Sequence, residues 1–321
     1  MALFRVSLRL TAPLGTELVS GTLFGQLCWM LRERSGEAAL VAWLGEAERL
    51  WALSDGFPAG LLPRPMIAPG PPDPDPDPKM ADKRKDEKKK GHIRRDGFLA
   101  VRGALSAAAM APHLVRVADR VARFAHNSID RRTGSTPETA GLHFVDEDWS
   151  FAPPSDARAQ PLSEGTVEPG GERDIYVRAP DDAAADIAAL FTDLGENGFG
   201  RDASLGRGRW SDVSVVRDAA MEATPDGAGP LRLVSLSRGS AETLSALRCK
   251  LVAHYGKAGP QVAVGAGVSP FKKPLLLTAP GATFAGDPQA RHGAILTHVH
   301  PDRPEIVHNA LHVVIACREA A

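Results

Sequence analysis

The sequence predicts an α+β protein of two ferredoxin-like (RRM-like) domains, carrying a glycine-rich loop and a protruding hairpin. Three observations predict it. An alternating strand pattern near the N-terminus is followed by two stretches of helical spacing. A second strand, helix, loop and strand succession begins at Asp174. A Pro/Gly/Ser-rich stretch at residues 153–171 lies between the two and reads as a linker. The expected domains are residues 1–152 and 172–321, each an antiparallel sheet with helices on one side.

Residues 4–10 alternate apolar and polar side chains, as in a half-buried strand with Arg5 and Arg9 on its wet face. Leu23, Phe24, Leu27, Met30 and Leu31 then recur at helical spacing within residues 22–34, and residues 38–53 read as a second helix. The Ser54-Asp55-Gly56-Phe57-Pro58 run breaks that helix, and Pro63-Arg64-Pro65 fixes an extended segment behind it. Residues 69–91 pass from Pro-Asp repeats to a lysine-rich tract. With almost no apolar surface to offset ordering entropy, they read as a disordered insertion that either brushes a nucleic-acid backbone or is merely solvated. Residues 106–124 read as helical or irregular. The polar run at 125–136 and the returning strand at 141–145 make a hairpin over about 125–145. Asp146, Glu147 and Asp148 read as a turn.

In the second half, residues 174–178 form a strand. Residues 181–194 form a helix with Ile187, Leu190, Phe191 and Leu194 on one face, Asp181 and Asp182 favouring its N-terminus, and Gly195 as its stop. Further strands are expected at 210–216, 231–236, 249–255, 274–278 and 311–316.

With 321 residues and 43% hydrophobic content the chain can bury a substantial core. No apolar run approaches the ~20 residues of a membrane span, and the first residues lack the order of a signal peptide, so a cytoplasmic protein with no membrane partner is expected. Cys28, Cys249 and Cys317 are far apart and unpaired in sequence, which reads as three buried thiols. The net charge is −1, from 38 Lys+Arg against 39 Asp+Glu, so any nucleic-acid surface must come from local clustering.

That clustering occurs at residues 195–209, where glycines alternate with Arg201, Arg207 and Arg209. Glycines let backbone amides approach a sugar-phosphate chain and permit the positive φ of an anion nest, while arginines add bidentate phosphate contacts and stacking surfaces. A P-loop needs a Gly-Lys-Ser/Thr ending that is absent here, and a dinucleotide fingerprint opens a helix where this run follows one. Either RNA binding or a solvated connection between two elements fits the run. The usual RNA-stacking aromatics of an RRM sheet are not evident, so binding rests on loops.

Taken together, FGRDASLGRGRW, AHNSIDRRTGST, SGTLFGQLCWML, SDGFP followed by LPRP, and FKKPLLLTAPGATF resemble the RAMP superfamily. Within it they are most similar to the fourth Csm subunit of type III-A CRISPR effector complexes. The resemblance runs in family order from residue 1 to about 285. It implies a non-catalytic subunit that grips the 5′ handle of the CRISPR RNA, and through it meets target RNA. It further implies docking on the large palm-domain subunit beside backbone RAMP subunits, with no cofactor and no metal. The RNA contacts it implies are Gly198, Gly200, Arg201, Gly206, Arg207 and Gly208 in the loop, and His126, Asn127, Ser128, Arg131, Arg132 and Thr133 in a thumb hairpin. It also implies Ser20 and Gly21 at the first helix, and Lys272 and Lys273 near the C-terminus. Gly21 stands where the family has a small acidic residue, and the insertion at 69–91 falls outside the family pattern.

Two enzymatic readings compete. A RAMP-superfamily endoribonuclease processing CRISPR RNA could use His126 as general base with Arg131 as the phosphate cation. A metal enzyme could draw on His292, His298, His300, His308 and His312, although His-x-His lacks the third ligand and carboxylate partner of a credible site, and scattered surface histidines explain the same pattern.

Overall fold

The structure is a computed structural model describing residues 1–68, 81–127, 129–130, 132–136, 141–152, 163, 165–259 and 269–320. The chain opens with β1 (Ala2–Leu10), α1 (Ser20–Ser35), α2 (Glu37–Gly45), β2 (Ala52–Leu53), β3 (Phe57–Pro58) and β4 (Leu61–Pro63). It continues with α3 (Ala81–Lys89), β5 (His92–Arg94), α4 (Arg95–Val101), α5 (Ala107–Met110), β6 (Leu114–Val117), β7 (Val121–His126), β8 (His143–Asp148) and β9 (Thr166–Val167). Next come β10 (Glu172–Ala179), α6 (Ala184–Asn197), β11 (Trp210–Arg217), α7 (Ala219–Glu222), β12 (Leu231–Ser235) and β13 (Ser245–Arg248). The last strands are β14 (Leu251–His254), β15 (Leu275–Thr278), β16 (Thr283–Ala285), β17 (Gly293–Leu296), β18 (His308–Leu311) and β19 (Val314–Arg318).

Alternation in β1 sets the layers. Phe4, Val6, Leu8 and Leu10 are at most 3% exposed and meet Ile175 and Val177 of β10 together with Leu23, Phe24 and Leu27 of α1 and Ile187, Leu190 and Phe191 of α6. Each such burial contributes about 1.5–3 kcal/mol. The opposite face sends Leu3 and Tyr176 into a second core with Phe57, Phe98, Val234, Ile315 and Cys317, which ties the first sheet to the elements behind it.

The first sheet runs β11-β1-β10-β2 with every neighbour antiparallel, and β3 also pairs with β10. Counted along the chain, that order is 4-1-3-2. The sheet β13-β16-β12-β19 is also antiparallel and, read from its β19 edge, has the same order. Helices α1 and α6 fill the two crossovers of the first sheet, whereas among the described residues no helix lies between β12 and β19. The fold is therefore α+β and rich in antiparallel sheet.

Several expectations change. The first sheet takes β1 and β2 from one side of residues 153–171 and β10 and β11 from the other, so strand pairing crosses the boundary expected there. The helix expected over 38–53 ends at Gly45, and Ala52–Leu53 pairs with β10. Residues 50 to 53 are all buried, and a short run apolar on every side fits a central strand as well as a helix. The 106–124 stretch is helical only at its start; its Val/Arg alternation then supplies β6 and the beginning of β7. The lysine-rich end of the insertion is the helix α3, supported by Asp86–Lys89 and Glu87–Lys90 pairs three residues apart and by Arg64, whose Nη1 donates to the Glu87 carbonyl at 2.8 Å. Residues 69–80 of that insertion lie outside the described residues.

α6 runs through Gly195 to Asn197 and stops at Gly198, whose φ is 91°. Gly195 serves packing, since a Cβ there would lie 2.4 Å from Trp210 Cδ1. The strand expected over 311–316 divides into β18 and β19, and the acidic run at 146–148 is strand β8 and not a turn. Cys317 is buried while Cys28 and Cys249 are half-buried; burial pushes the Cys28 and Cys317 thiols up to about 12.

Candidate nucleic-acid interface

The glycine-rich loop leaves α6 at Gly198 and enters β11 at Trp210, and its backbone closes on itself and on the N-terminal segment. Phe199 N donates to Gly208 O at 2.8 Å, Gly208 N to Pro13 O at 2.8 Å and Thr11 N to Arg209 O at 2.9 Å. Gly200 N reaches Gln26 Oε1 of α1 at 3.3 Å, and Arg201 N reaches Thr16 Oγ1 at 2.9 Å. Gly206 N and Arg207 N donate within the loop. The amides of Gly198, Gly200, Arg201, Gly206, Arg207 and Gly208 are thus all spent on the protein, and the expected nest of open amides gives way to a rigid loop that presents side chains. Gly208, at φ 66°, shows why glycine is needed: a Cβ would sit 2.0 Å from Phe199 O. Gly206, at φ 86°, has nothing within 4 Å of its Cβ position and is the loop's open point.

Two of the loop arginines, Arg201 and Arg207, are held by β8, while Arg209 bonds the Glu196 carbonyl at the end of α6. Arg207 Nε donates to Glu147 Oε1 at 2.8 Å, and Trp149 Nε1 donates to the other oxygen of the same carboxylate at 3.2 Å. Glu147 is 2% exposed, so this pair is shielded on one side. Arg201 Nη2 donates to the Asp146 carbonyl at 2.7 Å. Arg123 from β7 bonds both oxygens of Asp146 and holds that carboxyl below its usual range. Arg173 of β10 bonds Asp148 at 3.1 Å. Sequence reading missed these three acids; the signal was the Phe144-Val145 run, whose strand continues through them opposite Val121 to Arg123.

The expected hairpin is β7 and β8, paired from Val121↔Asp148 to His126↔His143, so its strands run further toward the body than 125–145. Every described residue from 127 to 142 is exposed except the half-buried Asp130. His126 stacks on His143 at 5.6 Å between ring centroids. Asn127 donates to Thr136 Oγ1, Arg132 N donates to Asp130 Oδ1 at 2.8 Å, and Thr133 Oγ1 bonds Ser135 Oγ. Ser128 and Arg131 lie outside the described residues.

Ser20 and Gly21 are buried at the start of α1. Ser20 N donates to Asp55 Oδ1 at 3.0 Å, and Gly21 packs against the His308 ring, where a Cβ would be 2.2 Å from Cε1. Both hold the junction between α1 and the second half and present no side chain to solvent. Lys272 is half-buried and donates to Val307 O at 2.8 Å, whereas Lys273 is exposed. Of the C-terminal histidines His298 is exposed and His292 half-buried, but His300, His308 and His312 are at most 5% exposed and so are not surface residues. His300 Nε2 bonds Ser269 O, and His312 bonds Ser235 Oγ and Ser240 O. Burial lowers His308 to about 3 and His312 to about 4. Among the described residues no three His, Cys, Asp or Glu side chains come together as a metal site, and no helix is long and apolar enough to cross a membrane.

No protein-family model matches the sequence, and no curated protein matches it. Solved structures do. A chain of the Csm1–Csm4 cassette in complex with AMPPNP is 14% identical with a TM-score of 0.55, over 100% of this chain and 99% of that one. A chain of the Csm3–Csm4 subcomplex in the type III-A CRISPR-Cas interference complex is 10% identical with a TM-score of 0.53, over 98% of this chain and 99% of that one. A chain of the same cassette in complex with one ATP matches over 100% of both chains with a TM-score of 0.53 and 14% identity. Csm4 is the subunit these assemblies have in common, and at such identities the likeness is one of fold. The chain has a Csm4-like fold along its whole length.

Proposed function

We propose that this chain is a non-catalytic RNA-binding subunit of a type III CRISPR effector complex. In this reading the two sheets of 4-1-3-2 order are its two ferredoxin-like units, the second with its helices replaced by β-structure. The chain grips the 5′ handle of the CRISPR RNA with the glycine loop and the β7–β8 hairpin, and docks on the large palm-domain subunit beside backbone RAMP subunits. The observation that carries the proposal is the joining of loop and hairpin through Arg207–Glu147 and Arg201–Asp146, at one edge of a fold that matches Csm4-containing assemblies over its full length.

The chemistry is positioning. Glu147 takes the Nε edge of Arg207 and leaves the rest of the planar guanidinium for a phosphate, while the exposed polar groups beyond His126 and His143 meet bases at the start of the guide. A nuclease reading needs a general base with a phosphate cation beside it; His126 stacks on His143, and Arg131, the cation of that reading, lies outside the described residues. The test is to purify the tagged chain from cells carrying its effector partners and a CRISPR array, and to sequence the bound RNA. Recovery of RNAs sharing one discrete 5′ handle is expected. Recovery of a random RNA population, or cleavage of array transcripts by the purified chain alone, would overturn the proposal.

A further inference from the structure

The β14–β15 ribbon has two chemically different faces. Residues 251 to 257 alternate exposed and half-buried without interruption. Ala253 lies opposite Leu276, and Lys257 opposite Phe271, so Leu251, Tyr255, Lys257, Phe271 and Leu276 share the outward face. Four of them are large and uncovered: Leu251 52%, Tyr255 72%, Phe271 52% and Leu276 64% exposed. The inward face carries His254 against His308, with ring centroids 5.1 Å apart, and Lys272 bonded to the Val307 carbonyl. Well-packed inward contacts and a bare aromatic outward face mark a surface made for another molecule.

Charge identifies that molecule. Residues 249–259 and 269–279 contain Lys250, Lys257, Lys272 and Lys273 and no Asp or Glu. Lys257 Nζ lies 5.4 Å from the centroid of the Phe271 ring, so cation and aromatic face are already paired. Asp302 Oδ2, from outside these two segments, accepts from the Ser269 amide at 3.1 Å. Aromatic rings interleaved with lysines, free of acids, suit a polyanion with flat bases.

Position connects this face to the glycine loop. Gln26 of α1 holds Gly200, and Trp29, one turn further along the same helix, packs on Gly259 at the end of the ribbon so closely that a Cβ there would be 2.1 Å from Nε1. Arg32 Cζ lies over the same Trp29 ring, 5.2 Å from its centroid.

We infer that the outward face of the β14–β15 ribbon is a stacking platform for single-stranded RNA, with Tyr255 and Phe271 taking bases and Lys257 and Lys273 the adjoining phosphates. This inference rests on the RNA-binding reading above and extends the RNA path from the glycine loop across α1. The platform is sequence-tolerant, because any base offers a π-face.

The test measures binding of a 5′-fluorescein-labelled twelve-nucleotide oligouridine by the full chain, using fluorescence anisotropy across a salt series. Tyr255→Ala/Phe271→Ala should weaken binding by about tenfold or more with unchanged thermal stability, and Tyr255→Phe should bind like the parent. Lys257→Ala should flatten the salt dependence by about 0.7 in log–log slope. If the double alanine variant binds like the parent while Arg201→Ala/Arg207→Ala binds less, the platform is wrong and the RNA reading stands. Absence of binding by the parent chain would defeat both. If the double alanine variant keeps its RNA but loses a copurifying subunit, the face is a protein dock and the inference fails.

Discussion

The glycine loop and the β14–β15 ribbon are both anchored on α1, yet they present their cations by opposite means. The loop spends its amides on Leu194, Gln26, Thr16 and Pro13, and its Arg207 and Arg201 are tethered to Glu147 and to the Asp146 carbonyl. The ribbon leaves Tyr255, Phe271, Lys257 and Lys273 in solvent. In the loop, geometry and stability are one property, because the groups that set its shape also hold the chain together. In the ribbon they are separable. Substitutions should therefore cost fold and RNA binding together in the first region and RNA binding alone in the second.

The largest effect belongs to Gly208→Val, which places a Cβ where Phe199 O lies 2.0 Å away at a positive φ. About 3–4 kcal/mol of stability should be lost, read by urea unfolding; a loss below about 1 kcal/mol would mean the loop is not the rigid element described. Arg207→Ala follows. It leaves the buried Glu147 carboxylate, 2% exposed, with the Trp149 Nε1 hydrogen bond but no paired cation among the described residues, and should cost about 2 kcal/mol after discounting for the arginine's own 31% exposure. Adding Glu147→Gln should restore most of that loss, and a double-mutant cycle showing simple additivity would deny the coupling.

Acid should weaken the wall behind the ribbon. His308 and His312 are depressed to about 3 and about 4, so between those values and the ordinary histidine range the unfolded chain binds protons that the folded chain refuses. Their stabilisation is present above about pH 6.5 and is lost as pH falls, by about 2 kcal/mol in all between pH 7 and 5.5. Replacing both by asparagine should flatten that part of the stability profile, and an unchanged slope would show that other groups set it. Gly206→Val, with open space at its Cβ position, should cost about 1 kcal/mol from its φ of 86° while reducing RNA retention. Tyr255→Ala is the smallest stability effect, within about 0.5 kcal/mol, and is the sharpest probe of separability because RNA binding should still fall.

Much of the first sheet was legible because its signals are local. Phe4 to Leu10 alternate, and Ile187, Leu190, Phe191 and Leu194 keep helical spacing, so period alone finds them. The glycine loop was legible from composition. What sequence could not show was which acceptors its amides take, since Pro13, Thr16 and Gln26 are remote along the chain and enter the site through sheet pairing. The pairing of β1 with β10 and β11 was hidden for the same reason: residues 54–171 intervene between β2 and β10, and an insertion of that size looks like a second half. Gly195 reads as a helix stop because nothing local reveals Trp210 packed on it. Asp146 to Asp148 read as a turn because three acids in succession carry no strand propensity; tertiary ion pairs with Arg123, Arg207 and Arg173 override that.

The most direct test of the central claim is photocrosslinking of 4-thiouridine-labelled CRISPR RNA in the purified effector assembly, with peptides identified by mass spectrometry. Handle nucleotides are predicted to crosslink to peptides covering Gly198 to Gly208 and Asn127 to Thr136 of this chain. Handle crosslinks confined to other subunits, with none on either segment, would contradict the account.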